Sequence, residues 1–413
     1  MKKDNLKKEN LNTLKKPNRF VFWLFKTASR FAAKFLYNCK IGKNELKGSK
    51  GRRVLIVNHE SAIDFIFVGA ALRESAHMVI SSSFYQSVPS MYPLLKRCGV
   101  IPKNQFQTSL TDMRLMKQAV ESERPLVLYP AGLMTESGEA TLVPHATGKT
   151  LKWLDADIYL AKISGSYLTK PKWSAVKRKG QITIDITKFM DREQVKAISN
   201  EEMQTAVTNA LYFDAYKNNE INRVEYKNGD NVEGLEHVLF RCPKCGKEYG
   251  LKVSGDNALI CDACGLTLTA DKYGLFNVTG SNNPDFKYAS IMYNKIIEDY
   301  AEEIKNDQNF KLDLDAEVHM INDKKHKYVP VGSAKVTLDK ENLILDGKID
   351  DKPFYKKIFS GSYPMLPFVP GKRFEIQDGS TIYRIVPKDG RCVTKWITAF
   401  KTLFNIHKDA IAH

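Results

Sequence analysis

The sequence predicts an α/β fold in which a central sheet is flanked by helices, followed by a small cysteine module and a β-rich C-terminal domain. Three observations lead to this prediction. Short apolar runs alternate with helix-like stretches through residues 51–212, as expected when helices pack on a mostly buried sheet. Two Cys-x-x-Cys pairs follow, and the chain then continues in short strand-like segments separated by Gly, Pro and Asp. A chain of 413 residues is long enough for roughly two to four domains.

Residues 1–50 are predicted to form a basic tail and an amphipathic helix. Within residues 1–53, 12 Lys and 4 Arg stand against 3 acidic residues, so most of the formal net charge of +16 lies there. Positive charge concentrated in one arm indicates an anionic partner, either phospholipid headgroups or nucleic acid, although a short basic tail can also simply be solvated.

The helix is predicted over residues 17–37, with basic residues at every fourth position and aromatic residues on another face. This pattern is typical of a helix lying in a membrane interface, and the alternative is an amphipathic helix docked on its own domain. The side chains that would meet the membrane are Phe20, Trp23, Lys26, Arg30 and Lys34. No run reaches the ~18 apolar residues of a membrane-spanning helix, so a spanning segment is not expected.

Residues 51–212 are predicted to form one α/β domain. Apolar runs rich in β-branched residues predict strands, and longer amphipathic stretches predict helices. The predicted strands are 53–57, 77–82, 100–102, 125–129, 156–163 and 181–186, and the predicted helices are 62–73, 90–99 and 109–121.

Three further segments complete the predicted organisation. Residues 213–237 are polar and Asn-rich, which predicts a linker, and residues 238–278 form the cysteine module. Residues 280–413 begin with a helix-like stretch, continue in short strands and end in an amphipathic helix. Several strands followed by one terminal helix suggest a domain resembling a pleckstrin-homology (PH) barrel.

A polar turn, Asn58-His59-Glu60-Ser61-Ala62-Ile63-Asp64, joins the first predicted strand to the helix after it. The carboxyl ends of strands are where α/β sheets usually hold catalytic groups. A histidine there can take a proton from a hydroxyl near neutral pH, and an acid five residues later can hold its other ring nitrogen. The alternative is structural: Ser61-x-x-Asp64 also fits a capping box, with His59 merely bonded to the turn.

The same residues resemble the NHxSxxD block of the lysophosphatidic acid acyltransferase family, whose hallmark is His-x4-Asp. Later segments follow the order and spacing of that family's other blocks. They are Cys98–Lys103 (CGVIPK), Tyr129–Gly138 (YPAGLMTESG, in the place of FPEGTRSxxG) and the apolar run Ile158–Ile163 followed by Ser164-Gly165-Ser166. The resemblance covers residues 20–212 and implies an acyltransferase-type sheet.

The resemblance implies that His59 is the general base and that Asp64 orients it. It also implies transfer of a fatty acyl group from acyl-CoA or acyl-carrier protein to a lysophospholipid or glycerol-phosphate hydroxyl. An acidic carrier protein would be attracted to the basic arm. The candidate substrate-binding residues are Asn58, Ser61, Lys103, Gly132, Thr135, His145 and Lys149. Backbone amides near Gly132 are expected to hold the thioester oxyanion.

The third block departs from the family at two positions. Ala131 stands where the family has Glu, and Met134 stands where it has the Arg that holds the acceptor phosphate. Guanidinium–phosphate contacts are difficult to replace. Either Lys103, His145 or Lys149 binds the phosphate instead, or the acceptor lacks a phosphate and is, for example, glycolipid-like.

The four paired cysteines have the spacing C-x2-C-x15-C-x2-C, with a glycine after the second cysteine of each pair. This spacing predicts a closed tetrahedral zinc site in a zinc ribbon rather than redox-active or free thiols. The ligands would be Cys242, Cys245, Cys261 and Cys264. The other three of the seven cysteines stand alone, which does not fit a secreted disulfide framework and favours a reducing cytoplasm.

Two other functions are compatible with parts of the sequence. A basic protein with a zinc ribbon could bind nucleic acid, but the ribbon region is not itself basic and no recognition motif is present, so nucleic acid is not the expected partner. A lipid-binding scaffold without activity would explain the altered third block but not the intact His59 and Asp64. We therefore expect a peripheral enzyme of phospholipid synthesis on the cytoplasmic face of the cell membrane.

Overall fold

The structure, a computed structural model, describes residues 14–88, 91–106, 109–322, 327–379 and 381–412. Residues 1–13 of the predicted basic tail lie outside the described residues. The chain divides into two compact units. The first contains the described residues of Met1–Thr135, Glu139–Lys170 and Lys179–Asn218, and the second contains those of Glu136–Gly138, Pro171–Arg178 and Asn219–His413.

The first unit is built on a seven-stranded mixed sheet with the order β1-β7-β6-β2-β5-β3-β4. Its strands are β1 (Cys39–Asn44), β2 (Arg53–Val57), β3 (His77–Ser81), β4 (Val100–Lys103), β5 (Leu126–Leu128), β6 (Asp157–Ser164) and β7 (Ile182–Met190). Strand β2 lies near the centre and pairs in parallel with both β5 and β6. Strand β7 runs antiparallel to β6 and pairs in parallel with β1, which lies at the edge of the sheet. The predicted α/β class is confirmed.

Helices connect and cover these strands. They are α1 (Arg19–Phe31), α2 (Asp64–Ala71), α3 (Ser82–Ser87), α4 (Tyr92–Arg97), α5 (Leu110–Glu121), α6 (Ala146–Leu154), α7 (Ser166–Thr169), α8 (Arg192–Ala197), α9 (Asn200–Leu211) and α10 (Ala215–Asn222). Helix α1 continues into a π-helical segment, Ala32–Leu36. No described helix has both the length and the apolar character that crossing a bilayer requires.

The sheet of the first unit is buried on both faces. Every residue of β2 is buried, and alternate side chains of a strand point to opposite faces. Leu55 and Val57 accordingly join the apolar cluster under α1 and α2, whereas Val54 and Ile56 join the cluster under α5, α6 and α9. This double burial explains why β2 is a continuous apolar run rather than an alternating one.

The second unit contains two antiparallel sheets. The four-stranded sheet has the order β11-β10-β9-β8 and consists of β8 (Leu251–Ser254), β9 (Ala258–Cys261), β10 (Thr267–Ala270) and β11 (Phe276–Thr279). After α11 (Ala289–Asn306) come the strands β12 (Lys311–Asn322), β13 (Lys327–Asp339), β14 (Asn342–Ile349), β15 (Lys352–Phe359), β16 (Phe368–Val369), β17 (Arg373–Asp378) and β18 (Thr381–Pro387), then α12 (Val393–Ala412). Four short 3-10 helices are Leu235–His237, Pro284–Lys287, Ser360–Ser362 and Gly390–Cys392.

The strands β12 to β18 form a seven-stranded sheet with the order β15-β14-β13-β12-β18-β17-β16. The four strands β12 to β15 form a meander, and the last three strands lie on the other side of β12. The β-rich C-terminal region with a terminal helix is confirmed, and its resemblance to a PH barrel stays a prediction.

The segment 213–237, predicted as a linker, is instead an ordered part of the fold. Helix α10 and one 3-10 helix lie in it, and Tyr226 and Leu235 are buried. The Asn219 side chain accepts a hydrogen bond from Val224 N and donates to the carbonyls of Val224 and Tyr273. A polar residue can therefore be buried because all of its hydrogen-bonding groups are used, and composition alone does not reveal this.

Candidate active site and metal centre

The polar turn of residues 58–63 lies at the carboxyl end of β2 and leads into α2. Its first residue, Asn58, is buried and pairs with the main chain of β6: its amide nitrogen donates to Ile163 O and its side-chain oxygen accepts from Ile163 N, both at 2.8 Å. These bonds hold the end of β2 against β6. The next residue, His59, lies just beyond the carboxyl end of β2. Asn58 was predicted to bind substrate, but both of its side-chain polar atoms are used in positioning the turn.

His59 and Asp64 form a hydrogen-bonded pair. The distance from His59 Nδ1 to Asp64 Oδ2 is 2.9 Å, and the His59 side chain keeps 21% exposure whereas that of Asp64 has none. Since Nδ1 faces a carboxylate, it carries the ring proton and donates, which leaves Nε2 as the proton-accepting nitrogen. The pair thus has the geometry of a general base with an orienting acid.

The Asp64 carboxylate has three more partners. Its Oδ2 accepts from the main-chain amides of Glu60 at 2.8 Å and Ser61 at 2.9 Å, and its Oδ1 accepts from the hydroxyl of Ser166. These donors, together with the His59 ring, fix the position of the buried carboxylate behind the imidazole.

The capping-box alternative for Ser61 and Asp64 is not what the structure contains. The side-chain N-cap bond at the start of α2 is missing among its described residues, and the Ser61 hydroxyl donates to Lys170 O at 2.7 Å instead. Ser61, also predicted to contact substrate, is buried and connects the turn to the segment after α7.

The loop of the third block contacts the catalytic turn. Thr135 N donates to His59 O at 3.3 Å, and Thr135 is fully buried. Gly132 has φ +71°, a conformation that glycine adopts without strain. Its amide donates to Tyr129 O at 2.9 Å. That amide therefore closes the turn, and oxyanion binding by backbone amides near Gly132 stays a prediction.

Tyr129 occupies the position of the family's Phe and lies against the catalytic histidine. The two ring centroids are 4.6 Å apart with the planes tilted by 44°, a separation typical of packed aromatic pairs. Burial, and then the charge of Asp64, raises the pKa of the Tyr129 hydroxyl well above its usual range. Tyr129 therefore stays a neutral phenol and restricts the rotation of the His59 ring.

Glu60 is a buried acid directly beside the pair. Its Oε2 accepts from Tyr167 N at 2.9 Å, and the residue has no exposed surface. Burial, and secondarily the charge of Asp64, raises the pKa of the Glu60 carboxyl from 4.5 to about 8. A neutral Glu60 avoids a second buried negative charge next to Asp64.

No role in the site was predicted from the sequence for three residues: Glu60, Tyr129 and Ser166. Ser166 is 102 residues from Asp64 along the chain, so no local spacing connects them. Its position directly after the last apolar block was the one usable signal.

The candidate anion-binding residues lie in different parts of the first unit. Lys103 ends β4 and donates to Asn104 O at 3.2 Å, and burial lowers the pKa of its ammonium. His145 and Lys149 are exposed, His145 directly before α6 and Lys149 within it. Phosphate binding by these three residues stays a prediction.

Helix α1 exposes the aromatic face expected of an interfacial helix. Phe20 is 66% exposed and Trp23 53%. Two basic residues of α1 also make hydrogen bonds to their own unit. Lys26 Nζ donates to Arg73 O, and the Arg30 guanidinium donates to Ala70 O and Leu72 O. These carbonyls lie at or just beyond the end of α2, where a helix dipole favours cations. Lys34 is exposed.

The four paired cysteines meet in the second unit. Their sulfur atoms all lie within 4.8 Å of one another, and Sγ of Cys242 is 3.7 Å from that of Cys264, as is Sγ of Cys245 from that of Cys261. Thiolates at ~2.3 Å from a central zinc stand about 3.8 Å apart in a tetrahedron. The described sulfur positions fit a structural zinc ion without rearrangement.

Two equivalent turns present these thiols. Gly246 N donates to Cys242 O and Gly265 N to Cys261 O, and both glycines have positive φ, +74° and +68°. The ribbon is joined to two helices of the same unit by ion pairs, from Arg241 to Glu303 of α11 and from Lys395 of α12 to Glu248. A zinc ion here would stabilise this small module by linking its two turns.

Comparison with known proteins agrees with this geometry. Residues 38–164 match the family model described as Acyltransferase. Apart from Glu136–Gly138, that range lies within the first unit, and it contains the whole polar turn with His59 and Asp64.

Among solved structures, the chain is similar to the 1-acyl-sn-glycerophosphate (LPA) acyltransferase PlsC from Thermotoga maritima. The identity is 11% and the TM-score 0.41, over 46% of this chain and 77% of that chain. No curated protein matches the chain.

The raised pKa of Glu60 predicts a pH dependence of stability. The folded state keeps a proton that the unfolded state loses between about pH 4.5 and 8. The free energy of unfolding therefore falls as pH rises through that window, by up to ~1.4 kcal/mol per pH unit from this group. In Glu60→Gln this contribution is absent, so denaturant unfolding at several pH values should give a flatter profile. The control is Glu193→Gln, which removes an exposed carboxylate; equal slopes in both variants would contradict the assignment.

The cysteine cluster predicts one zinc ion per chain. Metal analysis of the purified protein should find it, and removal by a chelator should lower the melting temperature. Cys245→Ser changes an exposed member of the cluster and should lose most of the metal, whereas Cys392→Ser, outside the cluster, should retain it. A zinc content that is the same in both variants would argue against the site.

Proposed function

We propose that the protein is a membrane-surface O-acyltransferase that moves a fatty acyl group from acyl-CoA or acyl-carrier protein to the hydroxyl of a lysophospholipid. The acceptor would be similar to 1-acylglycerol 3-phosphate, and the product a phospholipid precursor. The single observation that supports this most is the bond from His59 Nδ1 to Asp64 Oδ2 at 2.9 Å, within a domain that matches the acyltransferase family.

In the proposed reaction Nε2 of His59 accepts the proton of the acceptor hydroxyl as its oxygen attacks the thioester carbonyl carbon. The carbon–sulfur bond then breaks, and the imidazolium returns the proton to the leaving thiolate. An ester and a free thiol result, and the enzyme is unchanged. No nucleophilic side chain takes part, because the acceptor itself is the nucleophile.

Asp64 would act by orientation and charge. It fixes the tautomer in which Nε2 is unprotonated, and its negative charge stabilises the imidazolium that forms during attack. Ser166 and the amides of Glu60 and Ser61 hold Asp64 in place, so they are positioning groups and need not touch substrate.

The exposed aromatic residues of α1 support work at a membrane surface. Exposed apolar patches on a helix with basic neighbours indicate an interfacial contact. We place the protein on the inner face of the cell membrane, where a lysophospholipid acceptor would be present in the same layer.

A second acceptor class is favoured by the third block. Met134 is partly exposed and stands where the family has the phosphate-binding Arg, so an acceptor without a phosphate, such as a glycolipid, would lose less here than in the rest of the family. A nucleic-acid partner is not proposed; strong salt-dependent binding of duplex or single strands without acyl transfer would favour it over an enzyme.

The catalytic pair predicts a large effect of Asp64→Asn. The amide cannot hold the same tautomer or stabilise the imidazolium, so kcat for thioester consumption should fall roughly 10³–10⁴-fold with little change in melting temperature. Asp230→Asn, which alters an exposed acid of the second unit, is the charge-matched control and should behave like the wild type. Near-normal turnover of Asp64→Asn would refute the dyad.

The altered block predicts weak discrimination for an acceptor phosphate. The ratio of kcat/KM between lysophosphatidic acid and a monoacylglycerol with the same acyl chain should be within about tenfold in the wild type. Met134→Arg should raise kcat/KM for lysophosphatidic acid by roughly tenfold or more, the value of one charge-assisted contact, without helping the phosphate-free acceptor. Met134→Gln controls for polarity alone. A wild type that acts only on the phosphorylated acceptor would contradict this prediction.

A further inference from the structure

A basic cavity lies beside the exposed end of α1, in the first unit. It has a volume of about 420 Å³ and is open to solvent. Its charged lining residues are Arg30, Lys34 and Lys40, and the rest of the lining consists of Ala33, Asn38, Cys39, Ile41 and Gln181. Three cations and no acid among the lining residues give the cavity a positive potential, which attracts an anion.

The cations of this cavity are available to a ligand. Arg30 uses Nε and one terminal nitrogen on the carbonyls of Ala70 and Leu72, which fixes the guanidinium in position. Lys34 contacts the Phe35 ring at 5.2 Å, and within the described residues neither Lys34 nor Lys40 makes an ion pair. One cation held in position by hydrogen bonds, with these two lysines beside it, suits a phosphate group.

The local backbone is unusual at the same place. Residues Ala32–Leu36 form a π-helical segment, and such turns occur frequently at functional sites. The segment contributes Ala33 and Lys34 to the lining, and the first residues of β1, Cys39, Lys40 and Ile41, also line the cavity. The π-helical segment is thus part of the cavity.

Large apolar side chains border the cations. Phe31, Phe35 and Leu36 are 60%, 64% and 53% exposed, and the Phe31 and Phe35 rings are 5.0 Å apart. Exposed aromatic residues directly beside a cationic cavity match the two parts of a phospholipid: acyl chains for the rings and an anionic headgroup for the cavity.

We propose that this cavity is a binding site for the phosphate of an anionic phospholipid in the bilayer, separate from the His59–Asp64 pair. The lipid bound there is a docking lipid and not the acyl acceptor. This inference rests on the membrane-surface part of the proposed function, and it specifies which lipids hold the protein on the membrane.

The test is co-sedimentation of the full chain with vesicles of phosphatidylcholine alone and with 30 mol% phosphatidylglycerol, without acyl donor. The variant Lys34→Gln/Lys40→Gln removes the charges of the two lysines that line the cavity. The control Lys47→Gln/Lys50→Gln removes the same charge from exposed lysines of the first unit that do not line the cavity. A basic residue near an anionic surface contributes about fivefold to binding.

Wild-type protein should bind the anionic vesicles at least about 25-fold more tightly than neutral ones. The cavity variant should lose roughly 25-fold in affinity for anionic vesicles, and the control variant should lose less than about threefold. His59→Ala should bind like the wild type. Because no acyl transfer occurs in this assay, failure of the cavity and failure of the catalytic proposal are measured separately.

Three results would overturn the site. Equal losses in the cavity and control variants would mean that general surface charge binds the vesicles. Equal wild-type binding to neutral and anionic vesicles would mean that no anionic headgroup is recognised. Unchanged vesicle binding by the cavity variant, together with wild-type binding of inorganic phosphate that this variant loses, would mean that the cavity takes free phosphate and not a lipid.

Discussion

The buried carboxylate of Asp64 is the group on which the candidate active site depends. It is fully removed from solvent, and it accepts hydrogen bonds from the His59 ring, two successive main-chain amides and the Ser166 hydroxyl. The amides come from the turn after β2 and the hydroxyl from the start of α7, so one charge ties two distant segments of chain together. Burying a charge costs several kcal/mol unless such partners are present. The turn after β2, helix α7 and the His59 ring supply these partners, so the Asp64 side chain can be buried.

The acidic neighbour Glu60 shows how the same small volume avoids a second charge. Two adjacent buried carboxylates cannot both ionise cheaply, so one stays neutral. Asp64 accepts four hydrogen bonds, whereas burial, and then the charge of Asp64, raises the pKa of Glu60 although amides of residues 165–167 donate to it. Burial next to an existing charge therefore separates the roles of two acids that the sequence presents as equals.

Much of the architecture could be predicted from the chain alone. Buried strands were recognisable as apolar runs, the cluster of four cysteines by its spacing, and the proximity of His59 and Asp64 by their position after a strand. What could not be predicted depends on contacts between residues far apart in sequence. Ser166 as a partner of Asp64, the burial of the Asn-rich segment around Asn219, and the use of Lys26 and Arg30 on carbonyls near the end of α2 all require knowing which main-chain groups are nearby. Among the described residues the capping box is also missing, because α2 begins one residue after Ile63 and the Ser61 hydroxyl donates to the distant Lys170 O.

The two hydrogen bonds between the Asn58 side chain and Ile163 restrict which residue can stand at position 58 of the turn. A side-chain amide here imitates one residue of a strand, since it supplies both the donor and the acceptor that a main-chain neighbour would have given to β6. The backbone after β2 can therefore leave the plane of the sheet one residue earlier. Aspartate, although equal in size, offers only acceptors and would leave the Ile163 carbonyl without its donor. The shape of this corner is thus encoded by the chemistry of an amide rather than by the volume of the side chain.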